Sequence, residues 1–241
     1  MKIIDHLPAH RLQARLTLVL GILAFAAALP AQTLLGPTPY LSFADSPFNA
    51  GSFTYFHLET FEDGLFNTPG VSASTGSVIG PGSNTDSVDG DDGFIDGSGT
   101  NGLSYFGGGT VTFTFSAATL GSLPTNVGIV WTDGQNPTFE AFDALNNSLG
   151  TLLGTSADGS NFGTTAEDRF FGVSYAGGIS KITITAATWE VDHLQYGLAA
   201  IPEPAAFAAF ASAVALVATV VRRRSQKSAG KPGAESRPAS A

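Results

Sequence analysis

The sequence predicts an all-β body, an antiparallel β-sandwich of jelly-roll-like form. Three observations predict it. Glycine (29) and phenylalanine (18) are plentiful while only 13% of residues are charged, which is the balance of a turn-rich β protein. Several short segments alternate apolar and polar residues with a period of two, and clusters of Gly, Asn, Asp and Pro separate them. No long amphipathic helical pattern interrupts that series. The chain has 241 residues, enough for one sizeable core.

The segments follow in order. Ser52–Phe61 (SFTYFHLETF) is the first expected strand. Thr110–Ser116 (TVTFTFS) puts Val111, Phe113 and Phe115 on one face and threonines on the other. Asn126–Thr132, Thr138–Ala144 and Asp168–Tyr175 come next. Ser180–Ala186 places Ile182 and Ile184 on one face, and Glu190–Gly197 (EVDHLQYG) closes the series. The first and last of these are expected to pair, as terminal strands of jelly rolls often do. Half-buried strands assign most phenylalanines to core packing.

The ends of the chain set its expected destination. Lys2, Arg11 and Arg15 precede an apolar run, Leu16–Leu29, which is followed by Pro30, Ala31 and Gln32. A basic flank, a short apolar stretch and small residues predict a signal peptide over 1–31, cut between Ala31 and Gln32. The alternatives are a core helix or an uncleaved anchor. Near the other end, residues 205–221 carry no charge. As a helix they span roughly 25 Å, close to the minimum for crossing a bilayer. Arg222, Arg223 and Arg224 follow at once and favour the cytoplasmic side, leaving the 32–200 body outside. Residues 226–241, rich in Ser, Ala, Gly and Pro, read as a disordered cytoplasmic tail.

Charge is partitioned in the same way. Between residues 32 and 204 stand eighteen acids and two bases, Arg169 and Lys181, so that segment carries 2 − 18 = −16 against −9 for the whole chain. Such a body repels nucleic acid and attracts divalent cations. There is no cysteine, which excludes disulfides and thiolate metal sites.

Pro202-Glu203-Pro204, the apolar span and the arginine cluster, in that order, resemble the PEP-CTERM sorting signal, over residues 201–225. The resemblance implies export through the translocon, removal of the leader by signal peptidase, and handling by an exosortase, a membrane-embedded transpeptidase-like enzyme. It implies cutting near the motif and delivery to the cell surface or extracellular polymer. The chain departs from the pattern by continuing sixteen residues past Ser225, from Gln226 to Ala241. Independently of any family, the two prolines cannot extend a helix through their missing N–H groups, so the junction reads as extended and accessible. The segments DSVDGDDGFIDGSGTNGLSYF, DRFFGV and EVDHLQYG resemble uncharacterised ectodomains found ahead of such signals. The body is also broadly similar, at the level of fold, to calcium-containing carbohydrate-binding jelly rolls.

Five carboxylates, Asp86, Asp89, Asp91, Asp92 and Asp96, crowd a glycine-rich stretch. Calcium takes six to eight oxygens, and Gly90, Gly93, Gly97 and Gly99 give the backbone freedom to supply them. The spacing is not an EF-hand: counted from Asp89, Phe94 stands where the turn glycine belongs and the distal glutamate is missing. An irregular calcium site would be completed by Glu59, Glu62 or Asp192. The plainer alternative is a solvated acidic loop, its charges screened by salt.

The sequence does not predict an enzyme. No Gly-x-Ser-x-Gly elbow, His-Glu-x-x-His helix or phosphate-binding glycine loop is present, and the body holds only His57 and His193. Paired carboxylates keep a glycoside hydrolase as a remote alternative. A carbohydrate-binding module would need aromatic platforms, for which Tyr105, Trp131 and Trp189, with Phe106 and Tyr196, are the candidates. The expected function is a surface or matrix protein with a structural or adhesive β module, interacting with extracellular polysaccharide.

Overall fold

The structure, a computed structural model, describes residues 31–82, 84–88, 102–160, 167–200, 214–219 and 222. Residues 1–199 and 200–241 fall into two separate units. In the first unit the described strands are β1 (Thr33–Pro39), β2 (Phe53–Glu59), β3 (Val71–Ala73), β4 (Ser77–Ile79), β5 (Ser104–Phe115), β6 (Asn126–Gly134), β7 (Thr138–Asp143), β8 (Ser148–Leu153), β9 (Arg169–Ser174) and β10 (Ile179–Ala199). Their pairings are antiparallel. Among the described residues of this unit, helical structure is slight: a 3-10 turn at Phe43–Asp45 and one turn of helix at Ala117–Leu120, capped by the Ser116 side chain.

β10 organises the body because it is 21 residues long and changes neighbours along its length. Its first half, Lys181–Ala186, lies between β5 (Gly109–Thr114) and β7 (Thr138–Phe142). Its register on β5 slips between Ala186 and Trp189. Beyond the slip, Trp189–Val191 pairs with both the start of β5 and the end of β6. Leu194–Ala199 then pairs with β2. β6 continues to β9 and β9 to β1, while β8 extends β7, and β3 and β4 extend β5.

The alternation read in the sequence becomes an inside and an outside. Val111 and Phe113 of β5, Phe139 of β7 and Ile182 and Ile184 of β10 share one buried cluster with Ile129 and Trp131 of β6, Phe171 of β9 and Val191 of β10. Both halves of β10 therefore face the same core. A second cluster, Tyr40, Phe48, Val88, Val130 and Phe170, occupies the opposite face of β6 and β9. Residues 40–53 and 84–88 cover that face, so β6 is buried from Val127 to Gly134, without the polar alternation of a one-sided strand. The close approach of β1 to β9 requires glycine at position 36, where φ is +95° and a Cβ would stand 2.0 Å from the Phe170 carbonyl oxygen.

All seven expected segments are extended, in six strands, and the Ser52–Phe61 segment pairs with the end of β10 as expected. The segments Ser180–Ala186 and Glu190–Gly197 prove to be two halves of a single strand. β1, β3, β4 and β8 were not expected. Most of the expected signal peptide and of the apolar span 205–221 lies outside the described residues. In the second unit, residues 214–219 are helical, and no described helix is long and apolar enough to cross a membrane.

Candidate functional site: a cavity over paired carboxylates

Trp189 and Val191 of β10 point into the main core, so the alternation of the strand sends Glu190 and Asp192 to its other face. On β6 the same alternation would carry Asp133 to the side of Trp131. It does not, because the β6–β10 register slips there: Trp131 pairs with Val191 and Asp133 with Glu190, leaving Thr132 as the extra residue of a bulge. The bulge re-aims Asp133 onto the face that Glu190 occupies. On the other side of β10, Glu190 pairs with Phe106 of β5. Phe106, Glu190 and Asp133 thus form a row across three neighbouring strands, with Cβ atoms about 5 Å apart between neighbours.

A strap, residues 84–88, crosses this face and is held by the carboxylates beneath it. The Asp86 amide donates to Glu190 Oε1 (2.9 Å), and the Val88 amide donates to Asp192 Oδ2 (3.0 Å). The Thr132 hydroxyl donates to the Asp86 carbonyl (2.8 Å). Glu190 Oε1 also accepts the Ser104 hydroxyl, and Asp133 Oδ1 accepts the Gly134 amide. Among the described residues, no hydrogen bond reaches Glu190 Oε2 or Asp133 Oδ2. Beside the strap a cavity of about 340 Å³ opens onto the row, lined by Ile79, Asn84, Phe106, Asp133, Gly134, Thr188 and Glu190. A second hollow, of about 440 Å³, lies next to it around Gln135, Asn136, Asp158 and Gly159.

The electrostatics are those of carboxylates crowded without counter-charge. Burial raises Glu190 to about 7, the Asp133 charge adds to the rise, and the bonds from Ser104 and Asp86 oppose it. Asp133 is raised by burial and by the charge of Asp158. Asp192 is raised well above the usual carboxylate range by burial, then by the charges of Glu62 and Glu190. Burial also lifts Glu167 to about 7, with Asp133 and Asp158 contributing. The two bases of the body are engaged elsewhere: Arg169 Nη1 donates to the Asp168 carbonyl (2.7 Å), and Lys181 Nζ sits 4.6 Å from the Phe142 ring centroid.

The residues singled out in the sequence divide among several roles. Asp86 is a buried residue of the strap itself, whereas Asp89, Asp91, Asp92 and Asp96 lie outside the described residues. Glu59 pins the 60–68 loop: Oε1 accepts the Phe61 amide (2.9 Å), and Oε2 accepts the amides of Asn67 (3.3 Å) and Thr68 (3.2 Å) and the Thr68 hydroxyl. Glu62 Oε1 accepts the Leu103 amide (2.8 Å), and Asp192 Oδ1 accepts the His193 amide (2.6 Å). Among the described residues, no group of three or more His, Asp or Glu is placed to hold a metal ion.

The aromatic platform expectation is corrected. Trp131 and Trp189 are 0% exposed and Tyr105 is 6% exposed, because inward-facing positions of β6, β10 and β5 place them in the core. A ring packed on all sides has no face to offer a sugar. Trp189 Nε1 donates to the Gly109 carbonyl (3.1 Å) and the Tyr105 hydroxyl to the Thr75 carbonyl (3.0 Å). Tyr196 is likewise buried, its hydroxyl donating to the Pro69 carbonyl (2.5 Å). Phe106 alone of those candidates is exposed, at 39%.

Ala31 and Gln32 are exposed and precede β1. Pro202, Glu203, Pro204, Arg223 and Arg224 lie outside the described residues, and Arg222 is helical. Sequence reasoning missed the Asp133–Glu190 pair. Its signal was the presence of charged residues inside otherwise apolar strands, VWTDG and TWEVDHL. Comparison with protein-family models, curated proteins and solved structures returns no match.

Proposed function

We propose that this is an exported surface or matrix protein, sorted through a PEP-CTERM-type signal, whose β body has a structural or adhesive role. The single observation that carries the reading is the ordered constellation of Pro202-Glu203-Pro204, the uncharged run 205–221 and Arg222–Arg224. Two features support it. β10 ends at Ala199, whose amide donates to Thr125 Oγ1 (2.9 Å), so the body's last strand is complete before the motif begins. The division of the chain into units also falls there, between Ala199 and Ala200. Cutting after residue 200 would remove no strand from the body.

In this reading the body is a jelly-roll-like β-sandwich, its two layers joined through β10. The structural or adhesive role is favoured over sugar binding because the aromatic rings that would stack on a glycan are core residues. Calcium on the Asp86–Asp96 segment remains part of the proposal, as a stabiliser of the exported body in a calcium-containing medium. A periplasm- or surface-active reporter fused just before Ile201 tests the export reading. Activity outside the cytosol is expected, and a reporter active only in the cytosol overturns the reading.

A further inference from the structure

We propose that the cavity over Glu190 and Asp133 binds a small organic cation, an alkylammonium group seated between the two carboxylates and the ring of Phe106. This goes beyond the export reading and does not depend on it. The two acids are directly opposed across β6 and β10, a placement that is unfavourable when both are charged. Both are nearly inaccessible, Asp133 at 3% and Glu190 at 2% exposure. On each, one oxygen is used by the protein, and the second receives no hydrogen bond among the described residues. The bulge at Thr132 is what brings Asp133 to this face, and bulges commonly re-aim a side chain at a functional site.

A cationic occupant supplies the counter-charge that neither Arg169 nor Lys181 brings to the pair. A neutral polyol would fill the space without supplying it. A bare divalent ion would need six to eight oxygens, and no described cluster is placed to hold one. An organic ammonium needs fewer. Two carboxylates neutralise it and accept its hydrogens, and an aromatic face attracts it further. Ile79 and Phe106 supply apolar surface for the attached carbons, and the volume of about 340 Å³ suits a chain of several heavy atoms.

The test is titration calorimetry on the purified full chain with 1,5-diaminopentane, in about 0.15 M salt so that diffuse attraction to the acidic surface is screened. 1,5-Pentanediol serves as the neutral analogue and calcium chloride as the metal control. One diamine per chain should bind, with no competition from diol or calcium. Glu190→Gln and Asp133→Asn should each weaken binding by about ten- to a hundredfold. Phe106→Leu, at an exposed position, should weaken it by about three- to tenfold, with an unchanged circular dichroism spectrum. Absence of diamine binding, equal binding of the diol, displacement by calcium, or unchanged affinity in Phe106→Leu together with the amide variants would each overturn the proposal.

Discussion

The hydroxyl of Tyr40 lies 3.0 Å from Nδ1 of His193, a hydrogen bond that joins two residues from opposite ends of the body. The Gln195 amide nitrogen donates to the Tyr40 oxygen (2.8 Å), while the Gln195 carbonyl oxygen accepts the Ser46 hydroxyl (2.5 Å). In the neutral imidazole with its hydrogen on Nε2, Tyr40 gives its own proton to His193 Nδ1. Burial favours that neutral form, pushing His193 down to about 4. The chain ties the 40–48 segment to β10. Tyr40→Phe leaves Gln195 Nε2 and His193 Nδ1 without their partner and should cost about 1–3 kcal/mol in urea unfolding. A change below about 0.3 kcal/mol would show that the chain does not stabilise the fold.

Stability should fall as pH rises from 6.5 to 8. Glu190 and Glu167 are raised to about 7, and Asp192 and Asp133 are raised as well. A carboxyl with a raised folded value binds its proton more tightly in the native state. Its favourable contribution is complete below the unfolded value and is lost as pH climbs through the folded one. The charges that act on Glu190 and Asp192 are those of Asp133 on β6, of Glu62 and, for Asp192, of Glu190 itself, while Asp158 acts on Asp133, and all are acidic. His193 and His57, both lowered by burial, work the other way below about 6.5, so the acids dominate above it. Glu190 and Glu167 together should account for about 1–2 kcal/mol between pH 6.5 and 8. Glu190→Gln should flatten the profile, and a profile unchanged by that substitution would contradict the assignment.

Gly107 packs against the face of Trp189, and a Cβ there would stand 2.5 Å from the indole ring. Gly107→Ala should cost about 1–3 kcal/mol by forcing the ring from its seat. Gly82, where the nearest atom to an added Cβ is Thr85 Oγ1 at 3.8 Å, is the matched control. Gly82→Ala should be neutral within about 0.5 kcal/mol by the same unfolding measurement.

Millimolar calcium should raise the melting temperature, and a chelator should reverse the rise. Occupancy at a hundredfold excess over the dissociation constant stabilises a fold by about 2.7 kcal/mol. A melting curve indifferent to both additions would remove calcium from the account.

Much of the fold was legible because period-two alternation is a direct imprint of one-sided burial. Val111, Phe113 and Phe115 read as one face of a strand and form one face of a strand. β1 was hidden because Gly36-Pro37 breaks its pattern, and β3 and β4 because three residues are too few to show a period. β10 looked like two strands because its register slips between Ala186 and Trp189, where the alternation is interrupted. The carboxylate pair was harder to see. Asp133 and Glu190 become neighbours only through the β6–β10 register and share a face only through the bulge at Thr132, neither of which has a signature in a single sequence. Burial of the indoles was equally a tertiary fact, since a tryptophan on an alternating strand suits a core and a sugar platform alike.

The most direct measurement of the central claim is intact-mass spectrometry of the protein recovered from its native envelope. The account predicts a chain that begins at Gln32 and ends near residues 201–205, with the β body whole. Recovery of every molecule with its C-terminus intact at Ala241 would contradict it.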